Sequence, residues 1–280
     1  MDKLGIGLVQ ERWYPDQELH QARLREGVSR AAQRGAGLVC LQELTLSPYF
    51  PTSPGVDSSR YAESIPDGPT CKFARELARQ YGVYLTASLF EATGKGYNTA
   101  ICYSAQGELV GLTRKQHIPG GPGYHEDEHF HPGESDYPVH KIAGVQTALP
   151  TCYDQWFPEL ARIYALKRAE LIIYPTAIGS EPSAPEFDSQ PMWQKVIVAN
   201  GIMNNVFMLA VNRVGEEGGV VFYGSSFVSD PLGNILAQAP RHEPAVLVVD
   251  LDFSVRDLWG KLFPFLKQRQ PKTYSRLLCA

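Results

Sequence analysis

Leu149-Pro150-Thr151-Cys152-Tyr153-Asp154-Gln155-Trp156-Phe157-Pro158-Glu159 is the stretch whose reading decides the fold. It follows an apolar run from Val145 that reads as a buried strand, and it turns polar and aromatic after Cys152. Pro158 suits the first turn of a helix, where its missing N–H costs nothing. A cysteine between a strand end and a helix start stands at the rim of a sheet. There it can be activated by main-chain N–H groups and a positive neighbour. The competing reading is a buried structural thiol, the commoner fate of a lone cysteine.

Upstream, residues 4–10 alternate as a strand. Leu24, Val28, Ala31 and Ala32 recur at helical spacing before Gly35 and Gly37 end the pattern. Residues 38–41 form a short apolar run, hence a buried strand, that finishes at Gln42-Glu43. A second helix is expected around Phe73, Ala74, Leu77 and Ala78, then a strand over 84–90. A hairpin over 98–103 and 109–114 follows, with Lys115 at its end. Downstream of Cys152 the helix continues through Leu160, Ile163 and Tyr164, and a strand over 171–175 ends in Thr176-Ala177. A helix over 193–203 precedes a strand over 207–211 that stops at Asn212-Arg213; strands over 222–229, 235–237 and 245–250 complete the chain. Both halves have the same order. Two β-rich halves with helices on their outer sides predict an α/β fold, a four-layer α-β-β-α sandwich.

No Ser/Gly/Pro linker and no internal repeat divides the 280 residues, which predicts one domain over 1–280. The tail, about 265–280, lacks a core pattern and is a candidate to pack on a partner subunit. A formal charge of -4 without basic runs argues against nucleic acid or an anionic membrane as partner. No stretch approaches the ~18 apolar residues of a membrane span, and the apolar run over 4–9 is too short for a signal peptide. Cys40, Cys71, Cys102, Cys152 and Cys279 are scattered without CxxC spacing, which fits reduced thiols in a cytoplasmic protein.

His125-Glu126-Asp127-Glu128-His129 spells H-E-x-x-H, the pattern of a zinc hydrolase. Such a site needs a helix to bring both imidazoles to one metal. Here the motif is confined between Gly123 and Pro132-Gly133, and no third ligand is evident. A zinc enzyme using His125 and His129 is therefore an alternative reading, and no metal or cofactor is expected.

Three strand ends carry Glu43, Lys115 and Cys152. In a nucleophilic hydrolase Glu43 would take the thiol proton and later activate water. Lys115 and the N–H of Tyr153 would hold the developing oxyanion. Each residue also has a plain reading: a solvated or capping glutamate, a strand-end lysine, a core cysteine.

On Leu41-Gln42-Glu43-Leu44, Arg114-Lys115-Gln116-His117-Ile118-Pro119 and Cys152-Tyr153-Asp154, the chain resembles the nitrilase, or carbon–nitrogen hydrolase, superfamily. The likeness runs from Leu4 to about Tyr274. It implies the four-layer sandwich, a Glu-Lys-Cys catalytic set and pairing into homodimers or higher homo-oligomers. Tyr124-His125-Glu126 matches the motif of the family's second glutamate, which implies that Glu126 orients Lys115 and substrate. The resemblance also implies that Tyr49, Tyr153, Gln155, Trp156, Thr176 and Ala177 contact a small-molecule substrate. Gly121-Pro122-Gly123-Tyr124, residues 154–159 and residues 174–182 are most similar to the branch that hydrolyses N-carbamoylputrescine. Gln155 stands where branches acting on N-carbamoyl amino acids carry an arginine clamp, so a cationic or neutral tail is expected. The acidic loop with Glu181, Glu186 and Asp188 is the candidate reader of an amine. Other N-carbamoyl compounds, ω-amides and a non-catalytic binding protein are the alternatives. The chain departs from the family at Pro150, which would remove a strand hydrogen bond, and from the branch at Asp127 and at Gln190-Pro191.

Overall fold

The computed structural model describes residues 3–93, 95–134 and 136–278; Cys279 lies outside the described residues. The first half runs β1 (Lys3–Gln10), α1 (Gln17–Gln33), β2 (Leu38–Cys40), β3 (Ala62–Glu63), α2 (Pro69–Tyr81), β4 (Tyr84–Glu91), β5 (Tyr97–Tyr103) and β6 (Leu109–Arg114). The second runs β7 (Val139–Ile142), β8 (Val145–Ala148), α3 (Pro158–Leu166), β9 (Leu171–Pro175), α4 (Gln190–Asn204) and β10 (Phe207–Val211). It continues through β11 (Val214–Glu217), β12 (Val220–Tyr223), β13 (Phe227–Ser229), β14 (Ile235–Gln238), β15 (Ala245–Asp252) and α5 (Ser254–Leu262).

Two sheets are ordered β15-β1-β2-β4-β5-β6 and β7-β8-β9-β10-β13-β14. Each is built on a parallel trio, β1-β2-β4 in one and β8-β9-β10 in the other. Antiparallel strands flank both trios. The expected likeness of the two halves is thus a likeness of topology.

Strand residues alternate between two cores, as a pleat buried on both faces requires. Ile6, Leu38, Cys40, Leu171, Ile173, Leu209 and Val211 pack between the sheets. Val39 and Leu85 face outward, onto Leu24 and Val28 of α1 and Leu77 of α2. Ile172, Tyr174 and Met208 face Leu160 and Tyr164 of α3 and Trp193 and Ile197 of α4. The layers are α-β-β-α. Asp16 caps α1 by accepting from the N–H groups of Glu18 and Leu19. Close seating of α1 needs Gly27, where a Cβ would meet Val9 Cγ1 at 2.5 Å.

Residues 222–229, expected as one strand, are two. Gly224 and Ser225 both take positive φ (51° and 56°) and break the extended run. As a result β12 pairs with β11 in a separate ribbon, while β13 joins β10. β15 returns across the molecule to pair with β1 over its whole length. α5 is a further difference: Val255, Leu258, Trp259 and Leu262 recur at helical spacing, a period the sequence reading passed over, yet none of its residues is buried. No helix among the described residues is long and apolar enough to cross a membrane.

Leu209, fully buried between the sheets, should be costly to truncate. Leu209→Ala is expected to lower unfolding free energy by about 2–5 kcal/mol in urea titration. Leu19→Ala, on the exposed side of α1, should stay within about 0.5 kcal/mol of wild type.

Candidate active site

The carboxyl ends of parallel strands point to one rim, the usual place for a site in a sheet covered by helices. Glu43 follows β2, Lys115 follows β6, Cys152 follows β8 and Ala177 follows β9. The structure therefore gathers the three strand-end residues singled out in the sequence. Glu126 joins them from a short helical turn, Glu126–Glu128, in the loop after β6.

Lys115 Nζ donates to Glu43 Oε1 at 3.0 Å and to Glu126 Oε1 and Oε2 at 2.8 and 2.6 Å. All three side chains are fully buried. The Tyr49 hydroxyl donates to Glu126 Oε1 at 2.6 Å, and Asn98 Nδ2 donates to Glu43 Oε1 at 2.7 Å. Glu43 Oε1 thus has two donors, whereas Oε2 has no hydrogen-bond partner among the described residues. One oxygen is fixed and the other is free to accept a proton.

Burial alone would pull the Lys115 ammonium down, but Glu126 and Glu43 more than reverse this and hold it protonated. Burial pushes the Glu126 carboxyl up to about 7, against the attraction of Lys115 and with help from Glu43. Burial likewise drives the Cys152 thiol well above its ordinary value, Glu43 and Glu126 add to the rise, and Lys115 only partly offsets it. Two carboxylates facing one ammonium leave no surplus positive charge for a thiolate. The balance at Cys152 therefore favours the neutral thiol over the thiolate.

The cysteine's backbone is set with similar care. Cys152 takes φ 42°, in the left-handed region that side chains disfavour. Asp154, buried, holds this turn: its Oδ2 accepts from Thr151 N at 3.0 Å, and its Oδ1 accepts from His117 N at 2.8 Å. The His117 ring also reaches Asp154 Oδ1 at 2.9 Å and stacks on Phe157 with ring centroids 3.6 Å apart. One carboxylate therefore ties the segment after Lys115 to the segment carrying Cys152. Pro150 costs no ladder bond, because β8 ends at Ala148 and the proline lies beyond the paired residues.

Cys152 and Glu126 open onto a cavity of about 390 Å³. Of the residues expected to contact substrate, Tyr49, Tyr153, Trp156 and Ala177 line it; Gln155 and Thr176 do not. Gln155 is wholly buried behind the wall, with its main-chain carbonyl accepting from Asn200 Nδ2, and Thr176 turns its hydroxyl back to Tyr174 O. For Gln155 the reason is the helical turn over Cys152–Trp156, which puts Cys152, Tyr153 and Trp156 on the cavity side and Asp154 and Gln155 on the other. Tyr124, Ile178 and Met192 line the cavity without having been assigned to it. Tyr124 was legible beside the Glu126 motif, whereas Met192 is brought in by tertiary packing alone. Of the loop's acidic residues Glu181, Glu186 and Asp188, only Glu181 reaches the cavity. Asp188 is tied to Arg241 at 2.8 and 2.9 Å, and Glu186 lies on a different depression.

The H-E-x-x-H motif does not form the helix that zinc binding requires. Its centre is a three-residue turn, and His129 Nδ1 is engaged with Ser58 Oγ at 3.0 Å. Among the described residues no group of three or more His, Cys, Asp or Glu side chains is arranged to hold a metal ion. Cys40, Cys71 and Cys102 are buried free thiols within the layers.

The family model for carbon–nitrogen hydrolases matches residues 5–261. A citrullinase from Francisella tularensis is 34% identical over 287 residues, covering 99% of both chains. An N-carbamoylputrescine amidase from Solanum lycopersicum is 38% identical over 264 residues, 90% of this chain and 87% of its own. The crystal structure of a carbon–nitrogen hydrolase from Helicobacter pylori G27 superimposes with a TM-score of 0.92 at 31% identity, covering 100% of this chain and 99% of that one.

The electrostatics predict the protonation state of Cys152. Ultraviolet titration of wild type against Cys152→Ser should show no Cys152 thiolate at neutral pH. The signal should develop only above the free-thiol value of about 8.5. A thiolate already present at neutral pH would contradict the geometry's account of the site.

Proposed function

This chain belongs to the carbon–nitrogen hydrolase family, and we propose that the bond it hydrolyses is the carbamoyl C–N bond of N-carbamoylputrescine, with Cys152 as nucleophile. Membership of the family makes it an amidohydrolase acting on amide or carbamoyl bonds; the substrate and the roles below are our reading.

Cys152 Sγ attacks the carbamoyl carbon while Glu43 Oε2 takes the thiol proton, because the thiol is neutral at rest. Negative charge developing on the carbonyl oxygen falls to Lys115 and the Tyr153 N–H, donors already in place before reaction. Glu43 passes its proton to the departing nitrogen and ammonia leaves. The remaining thiocarbamate is attacked by water, which Glu43 deprotonates. Carbamate departs, Cys152 regains its proton, and the carbamate decomposes to carbon dioxide and putrescine, a polyamine precursor. Glu126 keeps Lys115 charged and aimed throughout.

One observation carries the choice of substrate. Glu126 and Glu181 are the charged residues lining the cavity among the described residues. Glu126 is neutralised by Lys115, so Glu181 alone presents net charge to a bound tail. A protonated primary amine satisfies it. Citrulline, named for the Francisella relative, also carries an ammonium but would bring an α-carboxylate with it into a wall without a lysine or arginine. The near full-length similarity to that relative makes citrulline the second reading. We further propose that the chain acts as one domain, in the cytoplasm, as a homodimer or larger assembly. Leu258, Leu262, Phe263 and Phe265 on α5 and the tail are exposed and would be covered by a second copy.

Ammonia release should be faster from N-carbamoylputrescine than from citrulline, N-carbamoyl-β-alanine or an aliphatic amide. Glu181→Gln should lower kcat/KM for N-carbamoylputrescine about tenfold to a hundredfold, the usual worth of a hydrogen bond to a charged group, while sparing a neutral amide. Faster turnover of citrulline, or equal losses on charged and neutral substrates, would sink the assignment.

A further inference from the structure

We propose that Arg213 and Glu217, both outside the reacting set, are positioning residues that hold the two carboxylates flanking Lys115. The inference rests on the catalytic reading above. Arg213 follows β10 and is wholly buried. Its Nη2 donates to the main-chain carbonyls of Glu43, Leu44 and Ser47 at 2.7, 3.1 and 3.4 Å. These three oxygens converge because Leu44 takes φ 48°, a conformation an isolated leucine avoids. The guanidinium thus fixes the turn that aims the Glu43 side chain. Its Nη1 donates to Glu217 Oε1 at 2.6 Å.

The other oxygen of Glu217 carries the chain onward. Glu217 Oε2 accepts from Tyr49 N at 2.7 Å, and the Tyr49 hydroxyl donates to Glu126 Oε1 at 2.6 Å. Glu126 accepts from Lys115, and Lys115 donates back to Glu43. The circuit is closed: Glu43, Arg213, Glu217, Tyr49, Glu126, Lys115 and Glu43 again. Arg213 and Glu217 come from the second half of the chain, Glu43 and Lys115 from the first. A buried charge pair that only filled space would have no reason to reach both carboxylates from opposite sides.

The device has a readable signature. The groups acting on Glu126 are Lys115, Glu43, Tyr49, Tyr124 and Cys152. Among them the Tyr49 hydroxyl favours the charged carboxylate. Loosening Tyr49 must therefore raise Glu126 further and move the acid limb of kcat/KM to higher pH.

Full-length Glu217→Gln, Tyr49→Phe and their double variant, with folding checked by melting temperature, test this. Arg213→Lys serves as a second route, since it keeps the charge but cannot reach the carbonyls and Glu217 together. Glu217→Gln and Arg213→Lys should each lower kcat by about tenfold or more, the scale of a small misplacement of reacting groups. All variants should shift the acid limb upward. The double variant should lose less than the product of the single losses. Wild-type kcat and acid limb in folded Glu217→Gln and Arg213→Lys, or fully multiplicative losses in the double variant, would refute the positioning role. Cys152→Ala separates the two levels: if it keeps wild-type turnover, the catalytic reading falls and this proposal with it. An inactive Cys152→Ala beside an unaffected Glu217→Gln indicts the positioning role alone.

Discussion

A fully buried lysine between two fully buried glutamates is the constraint on which the rest of the site depends. Removing three charges from water is expensive, and only close pairing with well-made hydrogen bonds makes it tolerable. Lys115 meets that condition by pairing with Glu43 and Glu126. The consequence reaches Cys152. Burial, with Glu43 and Glu126, outweighs the pull of Lys115 and raises the Cys152 thiol, so in the reaction proposed above the thiol needs a base at the moment of attack. Glu43 Oε2, which has no hydrogen-bond partner among the described residues, is the base we propose.

Such pairing survives only if the segments that bring the charges are rigid relative to one another. The fold provides this by placing them at the ends of strands in two packed sheets. Glu43 and Lys115 come from one sheet and Cys152 from the other. Residues with two bonding sides then cross between them. Asp154 joins the Cys152 turn to the segment after Lys115. Asn212 plays a similar part behind the cavity, with Nδ2 donating to Ile178 O and Gly224 O and Oδ1 accepting from Ile178 N. Strained backbone at Cys152 and Leu44 is retained where these contacts over-determine it.

Much of this was legible in the sequence, for identifiable reasons. Apolar runs such as 171–175 and 207–211 announce buried strands; Glu43 and Cys152 drew notice at strand ends, whereas Lys115 by position read as a solvated strand-end lysine, and the family resemblance joined the three. What escaped has a common cause. The side of a tight turn on which a residue falls is set by backbone geometry, so Gln155 was expected in the cavity and lies behind it. The pair Gly224-Ser225 breaks a strand that composition alone would continue. H-E-x-x-H is a pattern whose meaning depends on a helix, and the chain makes a three-residue turn there. Arg213 was noted only as the stop of a strand, because its partners at Glu43, Leu44 and Ser47 are about 170 positions away and are main-chain atoms.

The central claim is that Cys152 forms a covalent bond with the carbamoyl carbon inside this charged frame. Rapid acid quenching during turnover of N-carbamoylputrescine, followed by peptide mass spectrometry, addresses it directly. The account predicts that the peptide bearing Cys152 gains the mass of the substrate less ammonia, and that Cys40, Cys71 and Cys102 stay unmodified. Steady turnover with Cys152 unmodified under conditions that trap thioesters, or an adduct on another residue, would contradict it.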